Sequence, residues 1–134
     1  KLWDFKEAEL GQLILAWANL GALIEGTLKL FLAVYYLDYI NDGENFKVKG
    51  EIVDPDSLAL EKLKQFYRKK ELLNDQWFRF IDLVQQRRNA IHAFKDRSIG
   101  DEAEFEKCVA TYLDLLIYIN GMLPYPEEMY EPRF

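Results

Sequence analysis

The only histidine in 134 residues, His92, stands in the stretch QQRRNAIHAF (85–94), just behind Arg87 and Arg88. An imidazole titrates near neutral pH, so it can take a proton from a ribose 2′-hydroxyl or return one to a leaving 5′-oxygen. Guanidinium groups present planar N–H donors that match phosphate oxygens and can stabilise charge gathering on phosphorus. Together these groups suit metal-free cleavage of an RNA phosphodiester. One histidine per chain is too few for a separate acid and base, which favours a homodimer that brings two copies together.

Spaced at 100° per residue, Trp77, Phe80, Val84 and Ile91 share one sector of a helix; Arg88 falls near its centre, and Arg87 and His92 flank it on opposite sides. A guanidinium in that sector is costly unless a carboxylate, a phosphate or a partner subunit meets it. Glu25, set in the most apolar helix, is a candidate structural ion-pair partner for Arg88. Other chemistries are poorly supplied. The acids at 101–106 have capping and surface roles and no histidine to complete a metal triad, so neither a metal nor a cofactor is expected. A serine triad lacks its base. Cys108, the one cysteine, cannot form an intrachain disulfide and reads as a small core-facing helix residue in a reducing cytoplasm.

The elements that must position the motif are helical. Helix formers run from about Asp4 to Ile40, apolar nearly all round, and end in Asn41-Asp42-Gly43. Gly11, Gly21 and Gly26 cost helix stability and allow a bend or close helix packing, so one long or kinked helix is expected, with Gly21 the place where it could split. Residues 43–53 read as a loop or hairpin. Asp54-Pro55 suits a helix start with proline in the first position, and that helix is expected to reach about Leu73. Asn74 or Asp75 caps the motif helix. Asp101 and Glu104 resemble a capping box opening a last helix with the stripe Phe105, Val109, Tyr112, Leu116 and Ile119. The expected fold class is all-α: an antiparallel four-helix bundle over 1–123 with a long first helix, then a proline-rich tail over 124–134.

Half of the residues are hydrophobic, which places the chain among folding domains rather than disordered ones. A net charge of −6 argues against a broad basic surface for nucleic acid, so any RNA contact must be local. Basic residues bunch in KLKQFYRKK (62–70) and RRNAIHAFKDR (87–97). The apolar run from Gln12 is interrupted by Glu25 and Lys29, and so reads as a buried helix rather than a membrane span. Trp3, Trp17 and Trp77 read as core or interface residues.

The form Arg-x4-His on a late helix of a small helical domain resembles the active-site signature of the HEPN superfamily (higher eukaryotes and prokaryotes nucleotide-binding domains). The resemblance implies a HEPN-like bundle, commonly dimeric, and a metal-independent endoribonuclease of a toxin-antitoxin, antiviral defence or RNA-processing system. It assigns catalysis to Arg87 and His92 and substrate orientation to Arg88 and Asn89. Family arginines often directly precede an asparagine, and here that pair is Arg88-Asn89, so either arginine can be the functional one. Where some family members continue His-x-Tyr, this chain has His92-Ala93-Phe94, and a modification needing that hydroxyl has no target. The implied partners are a second copy, RNA and an antitoxin or other protein, with no membrane. The alternative is a non-catalytic HEPN-like module that binds a protein or a nucleotide, with YPEEMYEPRF (125–134) as part of its contact surface, or a regulatory subunit for a nucleotidyltransferase.

Overall fold

The computed structural model describes residues 5–89 and 101–124, with side chains in the first helix from residue 11 onward. His92, Ile91, Trp3 and the tail beyond Pro124 therefore lie outside the described residues. The fold is all-α, with five α-helices and one two-stranded hairpin among the described residues: α1 (Phe5–Val34), α2 (Tyr36–Ile40), β1 (Lys47–Val48), β2 (Glu51–Ile52), α3 (Leu60–Lys69), α4 (Asp75–Asn89) and α5 (Glu102–Gly121).

Helix α1 runs unbroken through Gly21; the interruption falls at Tyr35, which leaves helical geometry before α2 begins. One face of α1 supplies the centre of the core, with Trp17, Leu20, Ile24, Leu28, Phe31 and Leu32 all buried. By length and apolarity Gly11–Val34 could span a bilayer, yet this buried face packs against the other helices. Against it lie Leu63, Phe66 and Tyr67 of α3, Phe78, Ile81 and Val84 of α4, and Cys108, Tyr112, Leu115 and Ile119 of α5. The Tyr67 hydroxyl donates to the Leu28 carbonyl at 2.7 Å, which satisfies a phenol that is otherwise cut off from water.

The helix directions depart from the antiparallel expectation. Trp17 meets Phe105 edge to face at 5.1 Å, and the Tyr35 hydroxyl donates to the Met122 carbonyl, so α5 rises alongside α1 in the same direction. Helix α4 runs the other way: Trp77 stacks near Tyr118 of α5, while Arg87 reaches Glu104 at the start of α5. It is also opposed to α3, since Lys64 pairs with Asp82 at 2.6 Å and Arg68 with Asp75 at 4.0 Å. The reason is the long connection from Asn41 to Ala59. It leaves the end of α1, turns as a hairpin, and carries the chain back so that α3 climbs toward Asp42, where Lys70 pairs at 2.8 Å.

Local signals set the helix ends. Asn74 accepts from the Trp77 N–H at 3.1 Å and Asp101 from the Glu104 N–H at 2.8 Å, two side-chain caps that satisfy first-turn donors. Pro55 sits at the first position of a helical turn, but that turn is a 3-10 segment (Pro55–Ser57), and α3 begins only at Leu60. Helix α3 also ends before the expected Leu73, because Glu71 takes a left-handed conformation with φ of 54° and turns the chain toward α4. The hairpin pairs Lys47 with Ile52 and Val48 with Glu51. Its turn residues, Lys49 (φ 53°) and Gly50 (φ 85°), have the positive φ angles that a two-residue turn needs to match strand twist.

Candidate functional site on the last turn of α4

Three consecutive residues at the end of α4 point to three different neighbours, as successive 100° steps require. Arg87 turns toward α5. Its Nε donates to Glu104 Oε1 at 2.6 Å and its Nη2 to Oε2 at 3.2 Å, a two-point grip on a carboxylate. The Glu104 carboxylate holds the Arg87 pKa above its usual value, chiefly through that hydrogen bond. The capping box is consequently half made. The Glu104 backbone N–H goes to Asp101, but its side chain serves Arg87 instead of turning back to the cap.

Arg88 turns toward α1 and lies across Gly21. A Cβ on residue 21 would stand 2.7 Å from Arg88 Cδ, 3.2 Å from Nη1 and 3.3 Å from Nε, all closer than comfortable contact. Gly21 is therefore the notch through which the Arg88 arm passes, and the bare backbone there makes the passage possible. Arg88 is half-buried, and no carboxylate among the described residues pairs with it. The expected pairing with Glu25 is not formed: Glu25 is half-buried on the same helix as Gly21, one turn on, and makes no ion pair with a described residue. The notch directs the guanidinium across α1 at residue 21, while the Glu104 carboxylate is engaged by Arg87.

Asn89 is exposed and faces α3, where it lines a polar groove of about 340 Å³ with Glu61, Lys64, Asp82, Gln85 and Gln86. Lys64 is committed inside this groove, to Asp82 at 2.6 Å, Glu61 at 3.1 Å and Gln85 Oε1 at 2.7 Å. The groove thus carries two carboxylates for one ammonium and is a poor place for a phosphate. The rest of the basic run is also engaged: Lys69 meets Glu44 at 3.4 Å, and the Arg68 guanidinium lies 4.2 Å from the Phe78 ring centre. Of the two motif arginines, Arg87 grips Glu104, and Arg88 has no carboxylate partner among the described residues.

A separate cavity of about 400 Å³ lies at the C-terminal end of α1, lined by Phe31, Tyr35, Tyr39, Phe66 and Met122 and by the charged Asp38, Asp42 and Lys70. It shares no residue with the motif. Cys108 is buried beside Arg87 and Glu104; burial first, and the Glu104 carboxylate second, push its thiol above the usual pKa, so it is no nucleophile near neutral pH. Among the described residues, no group of three or more His, Cys, Asp or Glu side chains is placed to hold a metal ion. Sequence reasoning missed Glu104 as the Arg87 partner and Gly21 as the Arg88 seat. Glu104 had been given to the cap, and a glycine reveals its neighbour only once two helices are set together.

Compared with protein-family models, curated proteins and solved structures, the chain matches none of them.

Proposed function

We propose that this chain is a metal-independent endoribonuclease of HEPN-like type, belonging to a toxin-antitoxin, defence or RNA-processing system and working as a homodimer on RNA. The observation that carries the reading is Arg88: a half-buried guanidinium, seated on Gly21 and lacking a carboxylate partner among the described residues. A cation so placed is stabilised by an anion supplied from outside, and a phosphodiester has the matching oxygens. In this reading Arg88 holds the scissile phosphate and stabilises the charge that develops on it. His92, four residues on, moves the proton between the 2′-hydroxyl and the leaving oxygen. Arg87 positions the end of α4 through Glu104, and Asn89 orients the neighbouring nucleotide. Long α1, with α3, α4 and α5 packed on it and the motif arginines Arg87 and Arg88 on the last turn of α4, supports the HEPN-like assignment.

The test is cleavage of a mixed RNA pool in EDTA by the wild type, Arg88→Ala and His92→Ala, each checked for folding. Wild-type cutting with 2′,3′-cyclic phosphate ends, lost in both variants, is the expected result. Activity that appears only with a divalent metal, or that survives His92→Ala, refutes the mechanism. The second reading, a non-catalytic interaction module, is favoured by a different observation, the apolar outer face of α1 and α5 with Leu30 and Ile117 exposed. Absence of cleavage by a folded wild type would leave that reading standing.

A further inference from the structure

The side of α1 turned away from the core is as apolar as a core face. Leu15, Leu23, Leu30 and Val34 are 62, 54, 60 and 45% exposed, and Leu113 and Ile117 of the parallel helix α5 continue the surface at 53 and 71%. Between the two helices runs a groove of about 330 Å³ with Thr27, Leu30, Leu116 and Ile117 in its walls. Contiguous apolar surface of this extent on a folded domain marks a contact face. From Leu15 to Val34 it is about 28 Å long at the helical rise, and two helices side by side are roughly 20 Å wide. The projected area of roughly 600 Å² approaches the 800 Å² or so that each partner contributes to a standard stable interface.

We propose that this face binds a second copy of the same chain, α1 against α1 in antiparallel register about a two-fold axis at Gly26. The register is self-complementary in size. It sets Ala22 against the partner's Leu30 and Asn19 against the partner's Ala33, so large residues meet small ones in both directions. Gly26, at the axis, is exposed with nothing within 4 Å of where its Cβ would be, which leaves room for another backbone. It is complementary in charge as well. Glu25 and Lys29 lie along the edge of the face, one turn apart, half-buried and joined in no ion pair with a described residue. Antiparallel packing brings each Glu25 within a turn of the partner's Lys29, and the two-fold repeats the pair.

Gly21 precedes Glu25 by one turn on that same edge, so the two-fold places both Arg88 seats on one side of the dimer. A single RNA strand laid across that side would meet both. The interface deepens the homodimer of the proposed function and rests on it for its purpose, but its test reads mass alone. Sedimentation of the full chain at micromolar concentration should give twice the chain mass. Leu30→Glu and Ile117→Glu, both at exposed positions, should each give the single mass with unchanged far-UV circular dichroism. Gly26→Cys in a Cys108→Ser background should form an intermolecular disulfide across the axis, and Leu15→Cys should not.

A monomeric wild type, a dimer indifferent to Leu30→Glu, or a disulfide from Leu15→Cys as readily as from Gly26→Cys would overturn the interface. A monomer that floats with phosphatidylcholine vesicles would overturn it in favour of lipid. Loss of the dimer in Leu30→Glu with RNA cleavage intact would uphold this interface and count against the homodimer as the form that cuts RNA. A dimer without cleavage counts against the nuclease alone.

Discussion

Replacing Gly21 by alanine tests the seat of Arg88 directly. In a helix interior alanine is favoured over glycine by about 1 kcal/mol, so the change alone should stabilise the protein. The new methyl, however, would lie 2.7 Å from Arg88 Cδ. Carbon atoms settle at about 3.5–4.0 Å, and the arm must withdraw by roughly 1 Å. Moving a packed side chain off its preferred rotamer costs about 0.5–1.5 kcal/mol, which offsets the propensity gain. Gly21→Ala should thus change stability by less than about 0.5 kcal/mol in the wild type. In an Arg88→Ala background nothing opposes the methyl, and the same change should add about 1 kcal/mol, or roughly 3–5 °C in Tm for a domain of this size. Urea unfolding of all four proteins closes the double-mutant cycle, with an expected coupling of about 1 kcal/mol. RNA affinity should fall in Gly21→Ala although the protein is no less stable. Equal effects of Gly21→Ala in the two backgrounds, within about 0.3 kcal/mol, would refute the seat.

Two further expectations follow from the same corner of the fold. Glu104→Gln keeps the shape and removes the charge that grips Arg87; with side chains 20 and 32% exposed, the loss should be about 1 kcal/mol rather than the full value of a buried charged hydrogen bond, and an unchanged urea midpoint would contradict the grip. The Cys108 thiol has a folded pKa above the usual 9.0, so its contribution to stability is complete below the unfolded pKa and is lost as pH rises from that value through the folded one. Iodoacetamide should label native Cys108 at least ~10-fold more slowly than the urea-unfolded chain near pH 8; similar rates would show that the thiol is open.

What could be read in the sequence was local. Asn74 and Asp101 cap their helices because a short polar side chain before an apolar run has one efficient use, and Pro55 begins its turn for a comparable reason. The wheel also put Arg88 inside the apolar sector of α4, the side that lies on α1. What could not be read depended on residues far apart in the chain. Nothing near Glu104 in the sequence says that it abandons half of a capping box for an arginine seventeen positions earlier. Nothing near Gly21 says that an arginine from α4 crosses there rather than that the helix bends. The parallel course of α1 and α5 was hidden in the connection after Ile40, whose length permits either direction.

That connection has a fastening at its mouth. The buried Tyr39 hydroxyl donates to the Val53 carbonyl at 2.8 Å and accepts from the Phe46 N–H at 3.3 Å, while the Val53 N–H bonds the Phe46 carbonyl at 2.7 Å. One phenol therefore closes the excursion where it leaves and where it returns, and what lies beyond is a surface hairpin with Lys47, Val48, Glu51 and Ile52 all exposed. Its tip, Lys49-Gly50, belongs to the C-terminal end of α1, which lies about 20 Å along the helix from Gly21. An epitope, a dye or a whole reporter domain spliced between Lys49 and Gly50 would hang outside the knot, leaving the arginine corner untouched.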